Sequence, residues 1–264
     1  MESPLTPEIA LAGLAWQIEL GATEAIGDAP INRYELPEKS AKPAAKPDTA
    51  TATPVISAPQ AKADPLAEAE RAAAAAPTHD ALRAALSAYP HCDLRRGARN
   101  LVFCDGHPAA RLMIISEAPG RDEDIQGKPF VGRAGQLLDR MFDAIGLSRG
   151  AETPETALYI SNILPWRPPQ NRDPNADEIA MMRPFMARHV ELANPDVVVL
   201  MGNISCEAGL GKRGITRLRG QWTKAYGKPA LPMFHPAYLL RTPSAKREAW
   251  ADLLALKARL AGRA

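Results

Sequence analysis

Four short apolar runs punctuate the chain after Asp80: Leu112–Ile115, Ala157–Leu164, Val197–Met201 and Ala230–Phe234. Runs of this length bounded by polar or glycine-containing segments predict buried strands. Between and after them the apolar positions recur at helical spacing, which predicts helices over Gln136–Ile145, Asp177–Leu192, Ile204–Leu210 and Ser244–Leu260. Asn175 followed by Glu178 is a capping signature for the second of these. Strands alternating with helices imply an α/β fold, with a parallel sheet covered on both faces. The expectation is a three-layer α/β/α sandwich around a central four-stranded parallel sheet.

Upstream, the pattern differs. Pro7–Ile26 reads as an amphipathic helix, with Ile9, Leu11, Leu14, Ala15, Ile18 and Leu20 grouped around Trp16. Such a helix packs on the main domain or docks on another protein. Residues 41–78 are rich in Ala, Pro, Thr and Lys and bury too little apolar surface to offset ordering entropy. They are expected to be an unstructured linker, broken by a short helix near Pro65–Ala76. The predicted organisation is therefore an extension over 1–40, a linker over 41–78 and a catalytic domain over 79–264.

Composition sharpens this picture at two points. The net charge of +2 conceals an asymmetry: residues 1–80 carry twelve acidic and six basic side chains, so the remainder carries +8. A basic folded part suits a polyanionic partner, although a solvated basic surface has the same composition. The three cysteines, Cys92, Cys104 and Cys206, and the five histidines show neither disulfide nor metal-ligand spacing, so no metal site is expected. Met1-Glu2-Ser3 is not a basic start and no apolar run reaches a membrane span, so a cytoplasmic setting without membrane contact is expected.

The candidate chemistry lies at the strand ends, where ligands of open parallel sheets bind. Glu117 follows the first run, Asn162 lies late in the second, Gly202-Asn203 follow the third and His235 follows the fourth. The tract Ser116–Gly135, SEAPGRDEDIQGKPFVGRAG, adds close-approach glycines, carboxylates and one aromatic, Phe130, between Pro129 and Val131. An Asn at a buried strand end must satisfy both donor and acceptor, on nearby backbone or on a ring with adjacent C=O and N–H groups. His235 sits in FHPAYLLR, Phe234–Arg241, where Leu239 and Leu240 beside Arg241 either bury at a helix start or wedge into a duplex step. Arg167-Pro168-Pro169 makes a stiff loop suited to gripping a backbone or to plain connection.

Taken in order, these motifs resemble the uracil-DNA glycosylases of the family 4 type, over about Ala81–Leu260. SEAPG with Glu123-Asp124 and GKPFVGRAG is similar to that family's first motif. Asn162 with Arg167-Pro168-Pro169 and Asn171-Arg172 resembles the second, and HPAYLLR the third. The resemblance implies that a flipped deoxyuridine of single- or double-stranded DNA is the substrate. In it, Phe130 stacks on the uracil, Asn162 bonds its Watson–Crick edge and Glu123 stands beside C5 against thymine's methyl group. His235 donates to the uracil O2 as charge builds on the departing base. Glu117 and Asn171 are the candidates for positioning the water. Gly202 and Ser205 hold a phosphate at a helix start. Arg167, Pro168, Pro169 and Arg241 complete the DNA contacts, and Leu239 and Leu240 fill the gap left by the base.

Two departures accompany the resemblance. Many relatives in the wider superfamily have an Asp where this chain has Ala118. Family 4 enzymes hold a four-cysteine iron–sulfur cluster, and the matching positions here are Tyr89, Cys92, Trp166 and Met182, so no cluster is expected. One relative is trapped covalently through a histidine on a loop inserted after the first motif. No insertion follows Arg133 and no histidine lies between His107 and His189, so covalent trapping is not expected. The expectation is a monomeric, monofunctional hydrolase without cofactor. The competing readings are a module that holds abasic or single-stranded DNA, and a glycosylase for another deaminated base such as hypoxanthine.

Overall fold

The computed structural model describes residues 11, 14–18 and 64–262. Of the helix expected over Pro7–Ile26, Leu11 and residues 14–18 are helical, with Leu11, Leu14, Trp16 and Ile18 exposed. The rest of that stretch, and the expected linker as far as residue 63, lie outside the described residues.

The elements of the compact part follow in order: α1 (Pro65–Ala74), α2 (His79–Ala88), α3 (Leu94–Gly97), β1 (Cys104–Gly106), β2 (Leu112–Ser116), α4 (Arg121–Gln126) and α5 (Arg133–Asp143). Then come β3 (Leu158–Asn162), α6 (Ala176–Ala193), β4 (Val197–Met201), α7 (Asn203–Leu210), α8 (Ile215–Leu218), β5 (Thr223–Ala225), β6 (Lys228–Met233), α9 (Pro236–Arg241) and α10 (Lys246–Leu260). The expected boundary at residue 79 is too late. Helix α1 begins after an Asp64 cap, buries Ala69 and Ala73 and packs on α6. Its small alanines read as linker in composition, yet they let two helices approach closely.

The sheet has six strands in the order β1-β3-β2-β4-β6-β5 and is mixed, wider by two edge strands than the four strands expected. β3, β2, β4 and β6 pair in parallel, whereas β1 on β3 and β5 on β6 are antiparallel. The two edge strands have three residues each, too short to carry an apolar period.

Strands β2, β3 and β4 are buried along their whole length, so their alternate side chains serve two cores. Met113, Ile115, Tyr159, Val198 and Leu200 join Leu82, Met182, Phe185 and Ile204, from α2, α6 and α7. Leu112, Ile114, Leu158, Ile160 and Val199 join Leu138 and Phe142 of α5 and Leu253 and Leu256 of α10. Helix α6 starts as its sequence predicts. Asn175 Oδ1 accepts from the Glu178 N–H, and the Glu178 carboxylate accepts from the Asn175 N–H, closing the capping box.

The chain passes from β2 to β3 on one side and later returns to place β4 on the other. This leaves a crevice at the carboxyl ends of β2 and β4, where parallel sheets hold their ligands.

Candidate active site

A cavity of about 540 Å³ occupies that crevice. Its floor is the strand ends: Ser116 closing β2 and Glu117 after it, Asn162 closing β3, Gly202 after β4, and Phe234 and His235 after β6. Ser116 and Asn162 are register partners on adjacent strands, which fixes their spacing. The walls come from Gly120, Glu123 and Phe130 on one side and Pro168, Asn171 and Asp173 on another. The four strand-end positions separated by up to 118 residues of sequence thus line one space, as expected from the parallel topology.

His235 is the N-cap of α9, and its Nδ1 accepts from the Ala237 N–H at 3.1 Å. A neutral imidazole with Nδ1 as acceptor carries its proton on Nε2, which stands 3.1 Å from Ser116 Oγ. Burial first, and Arg241 second, push the imidazole down to about 4, so it is neutral at physiological pH. Its ring stacks on Phe130, with centroids 5.3 Å apart and planes 25° from parallel.

Phe130 is held in an unusual backbone conformation, φ +55°, in the left-handed region that side chains rarely adopt. Gly135 makes this possible: a Cβ there would lie 1.8 Å from the Phe130 carbonyl oxygen. Glu123 Oε1 accepts from the Val131 and Gly132 N–H groups, each at 2.9 Å. Glu123 therefore lines the cavity and also ties α4 to the Phe130 loop.

Asn162 is buried, lines the cavity and makes no side-chain hydrogen bond with another described residue. Its carboxamide keeps both donor and acceptor for something else. The Glu117 carboxyl is likewise not bonded to its own loop; only its backbone carbonyl is engaged, by the Leu164 N–H at 3.0 Å. Burial, reinforced by the Asp173 carboxylate and opposed by Arg213, raises it to about 7. Asn171 is exposed, with φ +53°, and its Oδ1 accepts from Arg167 Nε at 2.8 Å. That bond takes one of the oxygen's two lone pairs and orients the carboxamide, whose NH₂ group is a donor.

Two predicted contacts are corrected. Ser205 is fully buried and its hydroxyl donates to the Gly202 carbonyl at 3.1 Å, so it does not face the crevice. A serine one turn into a helix satisfies itself on the preceding carbonyl. Gly202 lines the cavity with φ +90°. Leu239 is buried with Phe234, Ala245 and Ala249 and is core, whereas Leu240 is 39% exposed. Successive helical positions face about 100° apart, so only one of the two leucines can point outward. Arg241 and Pro168 line the cavity, and Pro169 is exposed at the start of a 3₁₀ turn.

The sequence reading missed Ser116, which is bonded to His235, and Asp173, which acts on Glu117. Asp173 sits between Arg172 and Pro174 in a stretch read only as loop. No local pattern marks it, because its importance lies in its distance to Glu117 across the crevice.

A family model for the uracil DNA glycosylase superfamily matches residues 103–254, more than half the chain. The chain belongs to the uracil DNA glycosylase superfamily. The matched span runs from just before β1 into α10 and includes every cavity-lining residue named above. A Type-4 uracil-DNA glycosylase of Thermotoga maritima is 40% identical over 139 residues, covering 51% of this chain and 68% of the relative. Those of Archaeoglobus fulgidus and Saccharolobus solfataricus are each 36% identical, over 152 and 164 residues, covering 54% and 58% of this chain and 73% of each relative.

The family resemblance assigns an iron–sulfur cluster to the positions of Tyr89, Cys92, Trp166 and Met182. All four are buried in one hydrophobic core, and a single thiol stands among them. Tyr89 donates its hydroxyl to the Pro65 carbonyl at 2.7 Å and meets the Phe185 ring edge-on. Helix α1 is thereby seated where these side chains meet. Among the described residues, no group of three or more His, Cys, Asp or Glu is placed to hold a metal. The residues present do not fit a four-thiolate cluster.

Proposed function

We propose that this uracil-DNA glycosylase is monofunctional: it draws a deoxyuridine out of the DNA stack and hydrolyses its N-glycosidic bond with water. The product is an abasic site for base excision repair. The observation that carries the reading is the set of cavity groups: a neutral His235 with its proton on Nε2, an unbonded Asn162 carboxamide and the Phe130 ring. A cavity of about 540 Å³ is of the size that holds small ligands. In this reading Phe130 stacks on the uracil and Asn162 bonds its Watson–Crick edge. Glu123 stands beside C5, its position set by Val131 and Gly132.

As the C1′–N1 bond breaks, its electron pair moves onto the uracil ring and O2. His235 Nε2–H donates to that oxygen. A donor aimed at charge that grows only in the transition state lowers the barrier, and losing one typically costs on the order of 10²–10³ in rate. The sugar passes through an oxocarbenium-like state, and a water oxygen bonds to C1′. Glu117 takes the water's proton, a role suited to a carboxyl whose pKa is raised to about 7. The Asn171 NH₂ group holds the water, and no carboxylate is needed at Ala118. The Gly202 backbone, Arg167, Pro168, Pro169 and Arg241 hold the DNA backbone, and Leu240 alone fills the gap left by the base. The volume of the cluster site is taken by Tyr89, Trp166 and Met182, and the enzyme works without iron.

Incubation with a uracil-containing oligonucleotide followed by alkali tests this directly. Strand breaks are expected only after alkali. Breaks before alkali would show a lyase step and end the monofunctional reading, and alkali-dependent breaks at mismatched thymines as well would end the role of Glu123. Purified protein is expected to contain no stoichiometric iron and no visible absorption band; either would restore the cluster.

A further inference from the structure

Arg149, between α5 and β3, is mostly buried and spends its guanidinium on the Phe130 loop. Its Nη1 donates to the Pro129 carbonyl at 2.9 Å and its Nη2 to the Phe130 carbonyl at 3.0 Å. Its Nε donates to Asp139 Oδ1 at 2.8 Å, and Nη1 also reaches Asp105 Oδ2 at 3.1 Å. Asp139 belongs to α5, and Asp105 to the edge strand β1. The fork is therefore anchored to two elements of the scaffold before it reaches the loop.

Arg149 has a counterpart. Glu123 takes the next two N–H groups, those of Val131 and Gly132. A guanidinium holds the carbonyls of residues 129 and 130, and a carboxylate holds the amides of residues 131 and 132. Three consecutive peptide groups are fixed by four charge-assisted hydrogen bonds, the stronger kind. Phe130, which joins the first two of them, has φ +55°, a conformation that persists only where its surroundings over-determine it. A lysine cannot reproduce this, because it offers one point charge in place of a planar fork.

We propose that Arg149 is a positioning residue for the base-stacking ring: with Glu123 it clamps the loop so that Phe130 is presented to the extruded base before the substrate arrives. The proposal rests on the reading of Phe130 as the stacking face. Arg149 is not among the cavity-lining residues and acts only through the loop. A reacting base misplaced by about 1 Å costs on the order of a hundredfold in rate, so losing the clamp slows base release and leaves backbone binding intact.

The test compares Arg149→Met, Arg149→Lys, Phe130→Leu and the double variant Phe130→Leu/Arg149→Met. Single-turnover uracil release is measured at saturating enzyme, alongside affinity for a uracil-free oligonucleotide of the same sequence. Arg149→Met is expected to be about tenfold to a hundredfold slower, by the same positional argument, with affinity within twofold of the parent. Arg149→Lys is expected to fall between. The double variant is expected to be no slower than Phe130→Leu, because both changes remove one function. Multiplying effects in the double variant, or an Arg149→Met rate equal to the parent's, would overturn the clamp. A Phe130→Leu enzyme as fast as the parent removes the stacking reading, and the clamp with it. A slow Phe130→Leu beside a normal Arg149→Met removes the clamp alone. Should Arg149→Met not fold, Asp139→Asn keeps the shape and loosens the anchor. It is expected to slow release severalfold, again with no further loss on the Phe130→Leu background; additivity there overturns the proposal equally.

Discussion

Replacing Glu117 with Gln separates its cost to the fold from its service to the reaction. Burial and the neighbouring Asp173 carboxylate raise its pKa from 4.5 to about 7. At about 1.4 kcal/mol per unit, the ionised form is disfavoured in the folded state by at most about 3 kcal/mol. The native state therefore holds a proton between pH 4.5 and 7 that the unfolded chain releases. Stability contributed by the protonated carboxyl is intact below pH 4.5 and is lost as pH rises to about 7. Glu117→Gln is uncharged throughout, so its gain in urea midpoint over the parent is expected to be near zero at pH 4.5 and largest above pH 7. The rate moves the other way. With Glu117 as base, kcat/KM of the parent is expected to rise about tenfold per pH unit up to about pH 7 and then level, since only the ionised form accepts the proton. Glu117→Gln is expected to lose that limb and about 10²–10⁴ in rate. Measuring single-turnover release and urea unfolding on both proteins from pH 5 to 9 settles the matter. A flat parent profile, or the same limb in Glu117→Gln, would refute the reasoning.

Further outcomes are expected for four other substitutions. His189 is stacked on Phe103, with its Nε2 paired with Tyr159 Oη at 2.7 Å, and burial pushes it down to about 3. A depressed histidine contributes stability that is full above 6.5 and is lost as pH falls toward its folded value, so His189→Phe should flatten the urea midpoint between pH 6.5 and 5. It should also cost about 1–3 kcal/mol at pH 8 through the lost hydrogen bond to the Tyr159 hydroxyl; a parallel pH dependence in the variant refutes the titration argument. Gly135→Ala places a methyl 1.8 Å from backbone and should destabilise by upwards of about 2 kcal/mol in urea; a loss under about 0.5 would be the contrary result. Leu239→Ala should cost about 2–5 kcal/mol of stability as a core truncation. Leu240→Ala should unfold like the parent yet release uracil more slowly from duplex than from single-stranded DNA, and an equal slowing on both would deny it the wedge role.

Much of the scaffold is written in local pattern. The run Val197–Met201 is a strand because five apolar residues bury on both faces, and Asn175 with Glu178 starts a helix because each satisfies the other's backbone. The edge strands were illegible for the opposite reason, since Cys104–Gly106 and Thr223–Ala225 are strands only through their neighbours. The short helix expected near Pro65–Ala76 is α1, but its place in the folded domain was hidden by composition: Ala69 and Ala73 stabilise little alone and become core only against α6.

The candidate site divides in the same way. Glu117, Asn162, Gly202 and His235 could be picked from the chain because a parallel sheet sends its strand ends to one side, so position along the strand foretells position in the crevice. Which of two adjacent leucines faces outward, whether Ser205 reaches the crevice and what Glu123 bonds were decided by packing and by competition for hydrogen bonds. Asp173 and Arg149 took their roles only from distance: one raises a carboxyl across the cavity, the other lies nineteen residues in sequence from Phe130, whose loop it holds. Charge and hydrogen bonding act through space over a few ångströms, and the chain order carries no record of that separation until the sheet has closed it.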